Sequence, residues 1–212
     1  MGAKTWIIIL LGNPGTKYAM TRHNLGWWVG DILASSTKTQ FKPGWGRFYY
    51  AQIELAERPA TLVKPTTYMN LSGQVVAELS ERLEVTSENL IVVADDIDLP
   101  LGQLRVRPYG SSGGHNGLAS IIEAIGSDEF VRVRCGVGPV PVGADAAEFV
   151  LAPFTESELS SARDTAERAA AAVRTILASG ALLAANTYNR KPPAPEAPSG
   201  DQSGADRPRE GT

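Results

Sequence analysis

Two histidines are the side chains best suited to proton transfer in this sequence. His23 and His115 are its only histidines, and an asparagine follows each, in "TRHNLG" and in "SGGHNG". His23 lies at the predicted start of a helix capped by Thr21, where the positive helix end keeps an imidazole neutral and able to accept a proton. His23 is therefore a candidate general base; the alternative is a histidine that only hydrogen-bonds near a helix cap.

Polar residues also follow three buried-looking strands. Asn13 follows "WIIILLG", Asn70 comes after "TLVKP", and Asp95 follows "LIVVA". If these strands are parallel neighbours, the three side chains converge at the carboxyl edge of the sheet, where open α/β sheets bind ligands. Asp95 would then orient the ring of His23 and fix its tautomer. Asparagine and aspartate also favour turns, which is the alternative for each residue alone.

The second histidine belongs to the glycine-rich loop "YGSSGGHNG". The backbone N–H groups of such a loop, with the following helix terminus, could hold an anion or a carbonyl oxygen; the alternative is a flexible turn. The loop also matches the G-x-S-x-G pattern of serine hydrolases around Ser112. Pro108 interrupts the strand that this pattern requires, and no histidine lies beyond His115, so a serine nucleophile is not expected.

Three acids crowd the stretch "DDIDLPLG", namely Asp95, Asp96 and Asp98. No histidine or cysteine lies at ligand spacing from them, and the loop does not fit a calcium-binding pattern. We therefore expect neither a metal nor a cofactor.

Arginines alternate in two predicted strands, each with the motif "RVR". Strand alternation places Arg105 and Arg107 on one face of the first strand, and Arg132 and Arg134 on one face of the second. Two such strands would form a basic patch suited to phosphate; the alternative is a solvated strand face.

Strands and helices alternate around these residues. Strand patterns occur in "KTWIIILLG", "GRFYYAQIEL", "PATLVKP", "NLIVVAD", "GQLRVRP" and "FVRVRCGVG", with amphipathic helical patterns between and after them. This order predicts an α/β fold: a single domain with a twisted mixed, mostly parallel sheet and helices on both faces. Because the chain turns to Pro, Gly, Ser and balanced charges at Arg190, we expect the domain to span residues 1–189 and a disordered tail to span 190–212.

Composition narrows the classes of function. The 212 residues are 43% hydrophobic, enough for one substantial core, yet no apolar run reaches the roughly 18–20 residues of a membrane helix. The single cysteine, Cys135, excludes an internal disulfide, so a reducing cytoplasm fits best. Residues 1–75 carry eight Lys or Arg against three Asp or Glu, and residues 76–100 carry one against seven. This segregation permits a nucleic-acid partner despite a net charge of −3.

Taken together, these motifs resemble the bacterial-type peptidyl-tRNA hydrolase family. The resemblance runs in order through "LGNPGTKYAMTRHNLGWWVGD", "LVKPTTYMNLSGQVV", "VVADDIDLPLGQLRVR" and "YGSSGGHNGLASI", over roughly residues 5–187. It implies hydrolysis of the ester between a peptide and the tRNA 3′ end, which recycles tRNA from prematurely released chains. It also implies a cofactor-independent cytoplasmic monomer that contacts the tRNA acceptor stem and the nascent peptide, with no membrane partner.

The resemblance implies a role for each matching residue. His23 is the base that activates water, Asp95 orients it, and Asn70 also lies near the attacking water. The implied contacts to the peptide and the tRNA 3′ end are Asn13, Tyr18, Met69, Asn70, His115 and Asn116. The implied tRNA phosphate contacts are Arg107, Arg134 and Arg105.

Three positions depart from the family pattern. Leu10 replaces a glycine that often opens "GLGNPG", Ala94 replaces a common histidine, and Arg107 stands where a lysine is common. We expect the first two to alter packing beside the crevice rather than the chemistry. Two rival functions remain: a non-catalytic RNA-binding protein of the same fold, which has no need of a base, and a small-molecule esterase, which has no need of the "RVR" strands.

Overall fold

Seven strands form one mixed sheet in residues 4–190, the part of the chain that the computed structural model describes. The sheet order is β2-β3-β4-β1-β5-β7-β6. The strands are β1 (Trp6–Leu10), β2 (Lys42–Pro43), β3 (Phe48–Leu55), β4 (Arg58–Pro65), β5 (Leu90–Pro100), β6 (Leu104–Arg107) and β7 (Val131–Gly138). Strands β4, β1, β5 and β7 are parallel, and the outer pairings β2–β3, β3–β4 and β6–β7 are antiparallel.

Strand β1 lies at the centre because its side chains are apolar on both faces. Residues 7–10 are fully buried, as expected for a short β-branched run in a parallel sheet. It pairs with β4 on one side and β5 on the other. The carboxyl ends of β1 and β4, which precede Asn13 and Asn70, therefore lie side by side. The sequence predicted that the third strand ends at Asp95, but β5 continues to Pro100 because Asp95 and Asp96 still pair with β7. Asp95 therefore lies within β5, just beyond Val93, the partner of Leu10 at the end of β1.

Helices cover both faces of the sheet, which confirms the predicted fold class. The helices are α1 (Leu25–Ser36), α2 (Gln74–Ser80), α3 (Asn116–Ile125), α4 (Ala146–Leu151), α5 (Leu159–Ser179) and α6 (Ala181–Tyr188). The core on one face packs α1 and α5 against the sheet. The core on the other face packs α2 and α3.

The start of α1 differs from the prediction. Residues Arg22–Asn24 form a 3-10 turn, and α1 begins after them, at Leu25. Thr21 does not cap the helix, because its hydroxyl donates to the carbonyl of Tyr18 at 2.8 Å. His23 therefore lies in a tight turn before the helix, not in the first turn of the helix.

The end of the described chain is tied to the sheet. The Asn189 amide accepts from the N–H of Val106 at 2.6 Å and donates to its carbonyl at 3.1 Å. Apart from Arg190, the tail predicted for residues 190–212 lies outside the described residues.

Between residues 4 and 190, none of the helices combines the length and the apolar character needed to span a membrane.

Candidate active site

A cleft of about 560 Å³ opens at the carboxyl ends of β1 and β4 and beside residues 95–97 of β5. The predicted site residues that line it are Asn13, Tyr18, His23, Met69, Asn70, Asp95, His115, Asn116 and Arg134. Arg105 and Arg107 lie on the sheet outside this lining. The structure thus brings together every predicted catalytic and substrate-contacting residue, but only one of the three predicted phosphate contacts.

The imidazole of His23 is held by Asp95. His23 Nδ1 lies 2.8 Å from Asp95 Oδ1 and 3.0 Å from Oδ2, and both residues are buried. An ionised carboxylate only accepts hydrogen bonds, so Nδ1 carries the ring proton. The lone pair is then on Nε2, which leaves that nitrogen able to take a proton from water.

The second histidine contacts the same carboxylate. His115 Nε2 lies 3.0 Å from Asp95 Oδ1, while His115 Nδ1 accepts from the backbone N–H groups of Gly117 and Leu118 at 3.1 and 3.2 Å. Because two N–H groups donate to Nδ1, the ring proton must be on Nε2 and point at Asp95. His115 is therefore both the N-cap of α3 and a donor to Asp95.

These two contacts keep Asp95 ionised. Burial alone would raise the pKa of this carboxyl, but the neighbouring His23 and His115 outweigh burial and leave the pKa well below its ordinary value. Asp95 is therefore an ionised carboxylate that accepts a hydrogen bond from each ring.

The same three side chains have the composition of a metal site, with one ligand atom from each of His23, Asp95 and His115 within 4.8 Å of one another. The hydrogen bonds favour a different use. A histidine binds a metal through a deprotonated nitrogen, but His115 Nε2 carries the proton because the α3 amides occupy Nδ1. The arrangement suits proton transfer better than metal binding.

Asn13 is oriented by three hydrogen bonds. Its Oδ1 accepts from the N–H of Met69 at 2.9 Å, which directs its Nδ2 donor elsewhere. The side chain of Asn24 holds the Asn13 backbone. Its Oδ1 accepts from the Asn13 N–H at 2.8 Å, and its Nδ2 donates to the Asn13 carbonyl at 2.9 Å. Asn13 therefore presents a fixed amide donor in the wall of the cleft.

The other two asparagines are more open. Asn70 and Asn116 are exposed, on the 3-10 turn Met69–Leu71 and at the first position of α3. The turn and the helix touch at Gly117, where a Cβ would lie 2.5 Å from the Met69 sulfur. Only glycine allows this close approach, which brings Asn70 and Asn116 into the same cleft.

The four arginines of the "RVR" motifs separate into different roles. In the antiparallel register of β6 and β7, Arg105 lies opposite Arg134, and Arg107 lies opposite Arg132. Arg134 lines the cleft, with its Nε 3.0 Å from the buried carboxylate of Asp96. Arg132 is 1% exposed, and its guanidinium donates to the carbonyls of Gly110, Ser111, Asp128 and Phe130. Arg132 therefore holds loops together, whereas Arg134 lines the cleft and pairs with Asp96.

Comparison with known proteins identifies the family. The sequence model of the peptidyl-tRNA hydrolase family matches residues 7–196, most of the chain. This chain belongs to the peptidyl-tRNA hydrolase family. The resemblance noted from the motifs is thereby confirmed, and membership supports a hydrolase that acts on peptidyl-tRNA.

Sequence relatives align with this chain over nearly their whole length. The peptidyl-tRNA hydrolase of Thermodesulfovibrio yellowstonii is 41% identical over 87% of this chain and 98% of its own, and that of Lachnoclostridium phytofermentans is 43% identical over 88% and 97%. The crystal structure of peptidyl-tRNA hydrolase from Acinetobacter baumannii superposes with a TM-score of 0.83 at 30% identity, covering 92% of this chain and 99% of that one.

The sequence did not predict two parts of this candidate site. Asn24 follows His23 directly, but nothing in its type or spacing indicates that it holds the Asn13 backbone across 11 positions. Helix α4 did leave a signal: Asp145 three residues before Glu148 is an N-cap pattern, and the Asp145 carboxylate accepts from the Glu148 N–H at 2.8 Å.

Proposed function

We propose that this domain hydrolyses the ester bond between the peptide and the 3′ end of tRNA in peptidyl-tRNA, with His23 as the general base. The observation that carries the proposal is the buried His23–Asp95 contact of 2.8 Å inside a cleft lined by Asn13, Asn70 and Asn116. A base, its orienting carboxylate and neutral amides are what hydrolysis of an ester requires.

The reaction needs one proton to move twice. His23 Nε2 takes a proton from water as the water oxygen bonds to the ester carbonyl carbon, and Asp95 stabilises the imidazolium that forms. The tetrahedral intermediate then collapses, the bond from carbon to the ribose oxygen breaks, and that oxygen receives the proton from His23. In this reaction no covalent bond forms between the enzyme and the peptide, and no cofactor is used.

Other nucleophiles fit this cleft less well. Cys135 is fully buried, and burial raises the pKa of its thiol, so it remains a thiol rather than a thiolate. Ser112 lies in the loop before His115, but among the described residues it does not line the cleft into which His23 projects. Water activated by His23 is therefore the nucleophile we propose.

The asparagines suit a peptide better than a free amino acid. Asn13, Asn70 and Asn116 offer amide donors and acceptors without charge, with Tyr18 and Met69 as walls beside them. A site that hydrogen-bonds a peptide amide and offers no partner to an ammonium group discriminates against ordinary aminoacyl-tRNA. Comparable turnover of free and N-acetylated aminoacyl-tRNA would contradict this step.

For His115, the geometry favours a positioning role. Both of its ring nitrogens are engaged within the protein, so we propose that it acts on the reaction through Asp95 rather than by direct contact with the substrate.

The arginines supply the tRNA contacts in this proposal. Arg134, Arg105 and Arg107 bind phosphates of the tRNA, with Arg134 nearest to the reaction because it lines the cleft. We further propose that the enzyme works as a cytoplasmic monomer that recycles tRNA from prematurely released chains, and that residues 1–189 suffice for activity.

The test is release of labelled peptide from purified peptidyl-tRNA, run at several salt concentrations. We expect turnover without added metal, with an affinity for tRNA that falls steeply as salt rises. Binding without peptide release would favour the non-catalytic RNA-binding rival. Hydrolysis of simple esters at a rate that does not depend on salt concentration would favour the small-molecule esterase.

A further inference from the structure

Arg22, the residue before the proposed base, directs its side chain away from the catalytic network. Its Nη2 donates to both carboxylate oxygens of Glu158, at 2.9 and 2.7 Å. Its Nη1 donates to the carbonyls of Ala152 and Pro153, at 3.3 and 3.0 Å. A two-oxygen ion pair with further carbonyl acceptors fixes a guanidinium in one orientation, and Arg22 is only 6% exposed.

Two aromatic rings and two backbone hydrogen bonds also connect Arg22 and its neighbour Met20 to residues 149–154. The guanidinium carbon lies 4.3 Å from the ring centre of Phe149 and 5.3 Å from that of Phe154. The N–H of Arg22 donates to the carbonyl of Ala152 at 3.3 Å, and the N–H of Phe154 donates to the carbonyl of Met20 at 3.0 Å. All these contacts join the turn that carries His23 to residues 149–158.

Helix α4 depends on this connection for its position. It has six residues, none of them buried, and a helix of this length is not stable without external contacts. Residues 141–148 are exposed, so the amino side of the helix is open to solvent. Its carboxyl end carries Phe149 and leads directly into the segment that Arg22 holds.

The same helix forms a wall of the catalytic cleft. Ala146, Ala147, Val150 and Leu151 line it together with His23. These side chains are apolar, and Leu151 remains 41% exposed, which leaves it free to contact a substrate. An apolar wall suits the side chains of a peptide better than phosphate or ribose.

We infer that Arg22 is a positioning residue of the hydrolase. By tying residues 149–158 to the turn that carries His23, it sets the apolar wall of α4 at a fixed place relative to the base. Arg22 touches no reacting atom in this account. It acts on binding of the peptide portion, and the inference rests on the proposed function.

The test compares Arg22→Lys with wild type. Lysine keeps the charge but cannot pair with both Glu158 oxygens and two carbonyls at once. We expect KM for a tRNA carrying a long peptide to rise about five- to tenfold, with a smaller rise for N-acetyl-aminoacyl-tRNA and kcat within about twofold of wild type. Amide hydrogen exchange should accelerate in residues 146–158.

Two further variants separate this role from a general loss of stability. Arg47→Lys is the matched control, because Arg47 pairs with Glu78 at 2.6 Å, is 56% exposed and lies outside the cleft lining. It should leave KM and exchange in residues 146–158 unchanged. Glu158→Gln should shift both in the same direction as Arg22→Lys, and the double variant should add little to Arg22→Lys alone.

Other outcomes would overturn the inference. Unchanged exchange in residues 146–158 of Arg22→Lys would show that the arginine does not hold the wall. A fall in kcat with unchanged KM would show that Arg22 acts on His23 instead. If wild type itself releases no peptide, the proposed function fails, while hydrogen exchange still tests the connection between Arg22 and α4.

Discussion

His115 donates through Nε2 to Oδ1 of Asp95 across 3.0 Å, and the direction of this bond is set by the helix that His115 caps. The N–H groups of Gly117 and Leu118 occupy Nδ1, so the proton can only be on the nitrogen that faces Asp95. A structural feature, the cap of α3, thereby fixes the tautomer of a residue in the proposed catalytic network. Asp95 is held from one side by His115 and holds His23 on the other.

The cap and the Asp95 contact can be separated by substitution. Asn is a good N-cap, so His115→Asn should keep α3 intact while removing the donor to Asp95. We expect kcat to fall about tenfold with little change in the unfolding midpoint, because a hydrogen bond to a charged group is lost. His115→Ala should lose about 1 kcal/mol of stability in addition. Steady-state kinetics and urea unfolding would check both, and full activity in His115→Asn would remove His115 from the network.

The arginines of one "RVR" motif should respond differently to substitution. Arg134→Gln should raise KM about tenfold and reduce the slope of log affinity against log salt by about 0.7–0.9, because one phosphate contact is lost. It should also lower the free energy of unfolding, because the buried Asp96 carboxylate loses its partner. Arg132→Gln should act mainly on stability and lower the free energy of unfolding by about 2 kcal/mol, since partly buried carbonyls lose their donor. A reduced turnover of Arg134→Gln at saturating substrate would contradict the phosphate role.

Acid should destabilise the fold partly through Asp95. Its pKa in the folded chain lies below the ordinary value of about 4, so the folded chain binds fewer protons than the unfolded chain as pH falls through that value. The stabilisation is therefore present above about pH 4 and is lost below it. The free energy of unfolding, measured by urea titration from pH 5 to pH 3, should fall more steeply in wild type than in Asp95→Asn. Equal slopes would show that the carboxylate is not held as described.

Removal of the tail should leave the enzyme intact. A chain that ends at Arg190 keeps the Asn189 side chain and its two bonds to Val106, so kcat/KM should stay within about twofold of the full chain. A chain that ends at Tyr188 loses those bonds and should unfold more easily by about 1 kcal/mol. A large loss of activity in the longer truncation would show that residues 191–212 take part in the reaction.

The sequence predicted the centre of the site well because strand patterns and turn residues are local signals. Asn13, Asn70 and Asp95 converge because β1, β4 and β5 are parallel neighbours, as their apolar runs indicated. The continuation of β5 through Asp95 to Pro100 was not predicted, because it depends on pairing with the distant strand β7. Contacts between distant segments left no such signal. Arg132 and Arg134 look alike in the motif, yet one is buried under the Gly110 loop and the other lines the cleft. The support of Asn13 by Asn24, and of α4 by Arg22, likewise depends on packing rather than on spacing.

The central claim is that His23 is the base, and one comparison tests it most directly. Peptide release from peptidyl-tRNA should be measured at saturating substrate for wild type and for His23→Ala, with unfolding midpoints measured in parallel. We expect kcat to fall by about 100-fold or more, the usual loss when a general base is removed, while KM changes little. A folded His23→Ala variant that keeps kcat within a few-fold of wild type would contradict the account.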